Sequence, residues 1–179
     1  MYERLKKLGL LDNKNTLLDL GCGSGQKSLS FYKNGFKVTL VDKNKKILEI
    51  AKRTFEQNGE ATPEFEIIEK DIKNFENEDK FDVILLLNVL SFLSSGDEIK
   101  SIILKNINRL KNEGLMVVNI FGPEDEWAKG RKEMTFIDKE EFLSFFPKKL
   151  IYVNEERGLT PLISGDTKDG HIISIIYGN

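Results

Sequence analysis

The sequence predicts an α/β fold with a mostly parallel sheet, and three observations carry that prediction. Short apolar runs alternate along the chain with segments of helical periodicity. A glycine-rich turn, Gly21-Cys22-Gly23-Ser24-Gly25, separates the first apolar run from the first strongly periodic segment. Nearly continuous apolar sequence, Phe81 to Leu87, lies in mid-chain, as a central strand buried on both faces requires.

Each element follows in order. Tyr2, Leu5 and Leu8 share one side of a short opening helix. Thr16 to Leu20 is the first strand, and the glycine turn leads from it into a helix over Gln26 to Tyr32. Asn34-Gly35 stops that helix in the left-handed manner. Lys37 to Val41 forms the second strand, closed by Asp42, and Ile47, Leu48, Ala51 and Phe55 mark the next helix. Pro63 starts the approach to a third strand, Phe65 to Ile68. After the central strand, Ile99, Ile102, Ile103, Ile107 and Leu110 line one helical face. Lys111-Asn112-Glu113-Gly114 turns into a strand from Leu115 to Phe121, which Gly122-Pro123 breaks. Asp138 and Glu141 form a capping box for a helix carrying Phe142, Phe145 and Phe146. Leu150 to Val153 and Ile172 to Tyr177 are the last strands, paired as a hairpin across a loop from Gly158 to Gly170. With no repeat and no linker-like tract, the 179 residues read as a single domain, 1–179.

Composition narrows the function classes. The hydrophobic fraction of 40% suffices for a buried core, and the formal net charge is −2. A general affinity for nucleic acid rests on a strong positive surplus, so nucleic-acid partners are disfavoured. Cys22 is the single cysteine, which excludes an internal disulfide and a cysteine-based zinc cluster. No apolar run is long enough to span a bilayer, and the first residues lack a signal-peptide core, so a cytoplasmic location is expected. A monomer or weak homodimer is expected.

The segment Asp19-Leu20-Gly21-Cys22-Gly23-Ser24-Gly25 is the most informative. Glycines here let the backbone turn sharply and let a ligand approach the main chain without meeting a Cβ. The spacing departs from the dinucleotide pattern G-x-G-x-x-G, because Gln26 stands where the third glycine belongs. Asp19 would face a pyrophosphate poorly and suits a cationic amino group. Asp42, with Lys43 beside it, ends the second strand where a carboxylate reaches ribose hydroxyls. Asp71 follows the third strand, placed to accept from an exocyclic adenine amine, with Ile72 against the ring. Asn88 follows the fourth strand at the carboxyl edge, where open α/β sheets bind ligands.

These residues resemble the class I S-adenosylmethionine-dependent methyltransferases. The resemblance runs from about Thr16 to Phe121 and includes Phe81-Asp82-Val83-Ile84 and Leu110-Lys111-Asn112-Glu113-Gly114, the latter similar to the family's L-K-P-G-G turn. Asn88-Val89-Leu90-Ser91-Phe92-Leu93 is similar to the small tellurite-resistance-type members. The resemblance implies a Rossmann-like seven-stranded sheet in the order 3-2-1-4-5-7-6, with strand 7 antiparallel and helices on both faces. It implies S-adenosyl-L-methionine as cofactor, held by Asp19, Gly21, Cys22, Gly23, Gly25, Asp42, Lys43, Asp71, Ile72 and Asn88. Residues 1–15 then form an N-terminal helix, 16–121 a cofactor-binding core and 122–179 an acceptor-side segment.

The methyl acceptor is expected to be a small molecule, reached by in-line displacement. His171, the single histidine, is the candidate general base, with a plain loop residue as its alternative. Trp127 is the candidate substrate contact, or else a loop anchor. Glu124, Asp125 and Glu126 read as a solvated acidic loop rather than a metal site, and Cys22 as a packing residue rather than a nucleophile. The alternatives are a methyltransferase acting on RNA or protein, a non-catalytic S-adenosylmethionine-binding protein, and, against the glycine spacing, a dinucleotide oxidoreductase.

Overall fold

A computed structural model describes residues 1–58, 64–147, 150–162 and 165–179. Its elements run α1 (Tyr2–Lys7), β1 (Thr16–Leu20), α2 (Gln26–Lys33), β2 (Lys37–Asp42), α3 (Lys45–Gln57), β3 (Phe65–Glu69), β4 (Phe81–Leu86), α4 (Gly96–Ile107), β5 (Leu110–Phe121), α5 (Lys139–Ser144), β6 (Leu150–Pro161) and β7 (Thr167–Gly178). The strands form one seven-stranded sheet ordered β3-β2-β1-β4-β5-β7-β6. β1 pairs in parallel with β2 and β4, and β2 in parallel with β3. β7 is antiparallel to both β5 and β6. The predicted strand order and the reversed last strand are therefore both present. Pro63 lies outside the described residues.

Two compact units carry these elements. The first comprises Met1–Leu85 and Arg109–Gly114. Its helices bury aromatic rings: Tyr2, Phe31 and Phe36 meet edge to face at 5.2–6.1 Å, and Tyr32 packs on Phe55 and Phe65. Such ring pairs contribute about 0.5–1.5 kcal/mol beyond their burial. Asn44 starts α3 because its side-chain oxygen accepts the amides of Lys46 and Ile47. Asp82, buried at the start of β4, accepts from Thr16 Oγ1 at 2.7 Å and from Lys111 Nζ at 2.9 Å. Burial alone would raise its carboxyl, but the hydrogen bonds from Thr16, Lys111 and Asn15 hold it below the usual carboxylate range.

The second unit comprises Leu86–Asn108 and Leu115–Asn179. Phe142, Phe145 and Phe146 cluster there, with Phe146 against Tyr177. α5 begins where predicted: Asp138 accepts the Glu141 amide at 2.8 Å.

Several boundaries differ from the sequence expectation: the helix expected within 1–15 spans only Tyr2–Lys7, and Phe145 and Phe146 follow the end of α5 at Ser144. Leu8 is exposed rather than packed, because α1 ends at Lys7 and Gly9 turns left-handed at φ 66°. Leu110 belongs to β5 rather than to the preceding helix, since the Arg109 carbonyl accepts the Phe81 amide and draws the chain out of α4. The expected loop from Gly158 to Gly170 is largely paired: Arg157 faces His171, Gly158 faces Gly170 and Leu159 faces Asp169. Backbone ladder bonds need no apolar alternation, so the hairpin continues beyond its hydrophobic half. Residues 163 and 164 of that segment lie outside the described residues.

Candidate functional site

In the first unit, the turn between β1 and α2 is built from three left-handed glycines, Gly21, Gly23 and Gly25, at φ 75°, 53° and 76°. A side chain disfavours this conformation at each of them. The amides of Gly21 and Cys22 both donate to the Val41 carbonyl, at 2.8 and 3.1 Å, which fastens the turn to β2. The Gly23 amide donates to Asp42 Oδ2 at 3.0 Å, and the Asn44 amide to Asp42 Oδ1 at 2.9 Å. Asp42 is thus fixed by backbone on both oxygens while its side chain stays half-buried. Each oxygen keeps a further lone pair for a ligand hydroxyl.

The glycines differ in purpose. A Cβ on Gly23 would meet only Ile47 Cδ1, at 3.9 Å, so the space above it is open for a ligand. A Cβ on Gly25 would stand 2.8 Å from Phe55 Cε2. Gly25 therefore serves close packing of α2 against α3, a role the ligand-loop reading had not separated.

Asp19 is 3% exposed and accepts a hydrogen bond from the Ser28 hydroxyl. Burial raises its carboxyl to about 6, partly opposed by that hydrogen bond and helped by the charge of Asp42. Cys22 is buried, and burial pushes its thiol far above the usual value, so it stays protonated. Asp71 accepts the Lys73 amide at 3.0 Å and faces Lys43, whose ammonium lies 3.9 Å away. Ile72 beside it is buried. The first unit thus holds nine of the ten predicted cofactor residues, and its turn, carboxylates and open glycine fit an adenosyl amino acid.

The tenth, Asn88, belongs to the second unit. It is exposed and left-handed, at φ 57°. Its amide donates to Asn119 Oδ1 at 2.6 Å, and Asn119 Nδ2 donates back to Asn88 Oδ1 at 2.8 Å. Sequence reading missed Asn119; the one available signal was a lone amide inside the apolar run Met116-Val117-Val118-Asn119-Ile120. The 3₁₀ turn Leu90–Phe92 that follows is fixed too: Ser91 Oγ accepts the Phe121 amide at 3.0 Å and the Ser91 carbonyl accepts the Thr135 amide at 2.8 Å.

His171 lies within β7 and is 2% exposed, not in a loop. Its Nδ1 accepts the Glu124 amide at 3.2 Å. The ring proton therefore sits on Nε2, which donates to Glu155 Oε1 at 2.9 Å. Both ring nitrogens are engaged, whereas a general base needs a lone pair directed at its substrate. Gly122 runs so close beneath the ring that an added Cβ would lie 2.3 Å from it.

Trp127 is half-buried, edge to face with Phe121 at 5.6 Å, with Lys168 Nζ at 4.2 Å and the Arg131 guanidinium at 4.1 Å from its ring centre. The three neighbouring acids serve three separate partners. Glu124 makes a two-pronged pair with Arg157, Asp125 is buried against Lys168, and Glu126 accepts the Asp169 amide. No group of acids, histidines or cysteines among the described residues is arranged to hold a metal ion. No helix among them is long and apolar enough to cross a membrane.

A family model described as a methyltransferase domain matches residues 11–150. The ubiquinone biosynthesis O-methyltransferase of Rickettsia prowazekii is 27% identical over 107 residues, covering 60% of this chain and 40% of that protein. The chain spans about half the length of the curated relatives it matches. TehB from Haemophilus influenzae superposes with a TM-score of 0.80 at 18% identity, over 100% of this chain and 62% of that one. The N-methyltransferase NodS from Bradyrhizobium japonicum, in complex with S-adenosyl-L-homocysteine, superposes with a TM-score of 0.68 at 18% identity, over 99% and 87%.

Proposed function

We propose that this chain, which belongs to the methyltransferase-domain family, binds S-adenosylmethionine in the glycine cradle of its first unit and transfers the methyl group to a small-molecule acceptor. One observation carries the reading: the left-handed turn after β1 is tied through the Gly23 amide to Asp42, at the tip of the neighbouring parallel strand. This joins an open backbone surface to a fixed acceptor pair, the two features an adenosyl amino acid requires.

When bound, the cofactor supplies a methyl group on a cationic sulfur, an electrophile that needs no activated enzyme nucleophile. The residues then bind, orient and exclude water. Asp42 takes the ribose hydroxyls, and Asp19 favours the cationic amino group. Asp71, steadied by Lys43, takes the adenine amine, with Ile72 beside the base. Orientation of this kind supplies up to roughly 7–11 kcal/mol of a barrier. His171 and Trp127 brace the segment after β5 rather than touch the acceptor. The O-methyltransferase relative and the N-methyltransferase of similar fold differ in acceptor atom.

Calorimetry with S-adenosylhomocysteine tests the reading. The wild type binds at micromolar order, about −8 kcal/mol. Asp42→Ala weakens binding about tenfold or more, through the lost acceptors. Unchanged affinity in that variant removes Asp42 from the site.

A further inference from the structure

We infer that Ser28 is a positioning residue of the cradle: its hydroxyl holds the buried Asp19 carboxylate with one oxygen left over, so that the cradle selects adenosyl compounds carrying an amino-acid ammonium over nucleosides that lack it. This rests on the methyltransferase reading above and assigns a residue to its ligand selection. Every group it uses lies in the first unit.

Asp19 and Asp82 are both buried carboxylates of that unit, and their partners differ. Asp82 accepts from the Lys111 ammonium, the Thr16 hydroxyl and the amides of Asn15 and Thr16. Asp19 accepts from the Ser28 hydroxyl at Oδ2. Among the described residues no donor reaches Asp19 Oδ1 and no cation pairs with the carboxylate. Buried charges are costly unless paired. A side chain that only joined α2 to β1 would need no charge. The arrangement leaves one oxygen and one uncompensated charge for a ligand.

The surroundings make Ser28 the group that keeps this charge available. β2 places Leu40 opposite Asp19 and carries Asp42 at its tip, and β4 places Leu85 opposite it. α2 contributes Ser28 and the exposed Lys27, and the turn contributes the Cys22 thiol, which stays protonated. Asp42 opposes ionisation of Asp19, Lys27 assists it from the surface, and the Ser28 hydrogen bond is the strongest influence in its favour. Ser28 sits at the third position of α2 and is fully buried, so water does not replace its hydroxyl. A serine within a helix can turn its hydroxyl back to the main chain of the preceding turn. Here it bonds Asp19 instead and fixes the rotation of the carboxylate.

The consequence is a proton tied to the amino-acid half of the ligand. An ammonium pairs with the ionised form of Asp19 only. Burial raises the Asp19 carboxyl to about 6, so below that value an ammonium-bearing ligand displaces one proton to solvent. Its affinity then falls by up to about tenfold per pH unit. A nucleoside without the amino acid makes no such demand.

The test is calorimetry on the full chain between about pH 5 and 8, with S-adenosylhomocysteine and with methylthioadenosine, which keeps the adenosine and the sulfur but not the amino acid. S-adenosylhomocysteine is expected to bind about tenfold more weakly at pH 5 than at pH 7, releasing a proton that shows as a dependence of the heat on the buffer. Methylthioadenosine is expected to change little. Ser28→Ala moves the onset of the loss to higher pH, weakening S-adenosylhomocysteine about fivefold at pH 6 and little at pH 8, with methylthioadenosine as in the wild type. Ser28→Cys, of similar volume but a weak donor, shifts the profile the same way, and Ser28→Thr, which keeps the hydroxyl, restores it. Parallel pH profiles for the two compounds overturn the inference, as does a wild-type profile in the alanine and cysteine variants. Failure of the methyltransferase reading shows differently: neither compound then binds at any pH, and the inference falls with it.

Discussion

Burial makes Asp19 a charge held at a disadvantage until a cation arrives. Its carboxyl is raised to about 6 by burial, against about 3.9 in an unfolded chain. The folded state therefore keeps a proton that the unfolded state loses between those values. Stability falls as pH rises through that window, and the full penalty is present above it. Asp19→Asn should stabilise the ligand-free protein at pH 8, by up to about 3 kcal/mol, with little change at pH 3. The same variant should bind S-adenosylmethionine more weakly, since the charge matching the amino group is gone. Thermal melts at both pH values and one titration check the two signs; an unchanged melting temperature at pH 8 removes the burial argument. His171 makes the opposite case. With both nitrogens engaged, His171→Gln should lower the melting temperature and leave the pH profile of turnover unmoved. A profile that loses its limb near neutral pH would restore the ring as a base.

At the scale of elements, the glycine turn combines a ligand surface with a packing joint. Gly25→Ala places a Cβ against Phe55 at a left-handed φ, and both effects oppose folding. Strain of this kind and overpacking each cost about 1–3 kcal/mol. Urea unfolding should show a loss of roughly that size, whereas Gly35→Ala, with open space around it, should lose only the conformational part. A loss no larger than that of Gly35→Ala would remove the packing role.

Local patterns made much of this legible. The capping of α5 was readable because Asp138 and Glu141 have the required spacing, and β4 because its run is apolar at every position but Asp82. Asp42 was legible because chain direction alone puts a residue at a strand tip. Asn119 was not, because its partner lies 31 residues away and no local pattern records a pairing of that range. The length of the β6–β7 hairpin escaped for a similar reason, since its outer half pairs through backbone rather than through apolar alternation.

On the scale of the whole molecule, the second unit is organised around a buried ion pair. Lys168 and Asp125 are almost wholly enclosed, the Lys168 ammonium lies over Phe121 and Trp127, and Asp125 also accepts the His171 amide. Removing one partner strands the other charge out of water. Lys168→Met alone should destabilise by about 3–5 kcal/mol, and adding Asp125→Leu should recover much of that loss. Additive losses in denaturant unfolding would show that packing, not stranded charge, dominates. The peripheral pair of Glu124 with Arg157 is open to solvent and worth little by comparison.

The short clasp Arg109–Gly114 has a consequence for how the protein is made. Its carbonyl at Arg109 holds the Phe81 amide, its guanidinium caps the Phe75 carbonyl and its Lys111 neutralises Asp82, yet it is separated from the rest of its unit by Leu86–Asn108. A ribosome releases the whole of that intervening stretch before the clasp emerges. The amino-terminal half therefore waits, unfinished, for a piece of chain that arrives only after synthesis of the other half has begun.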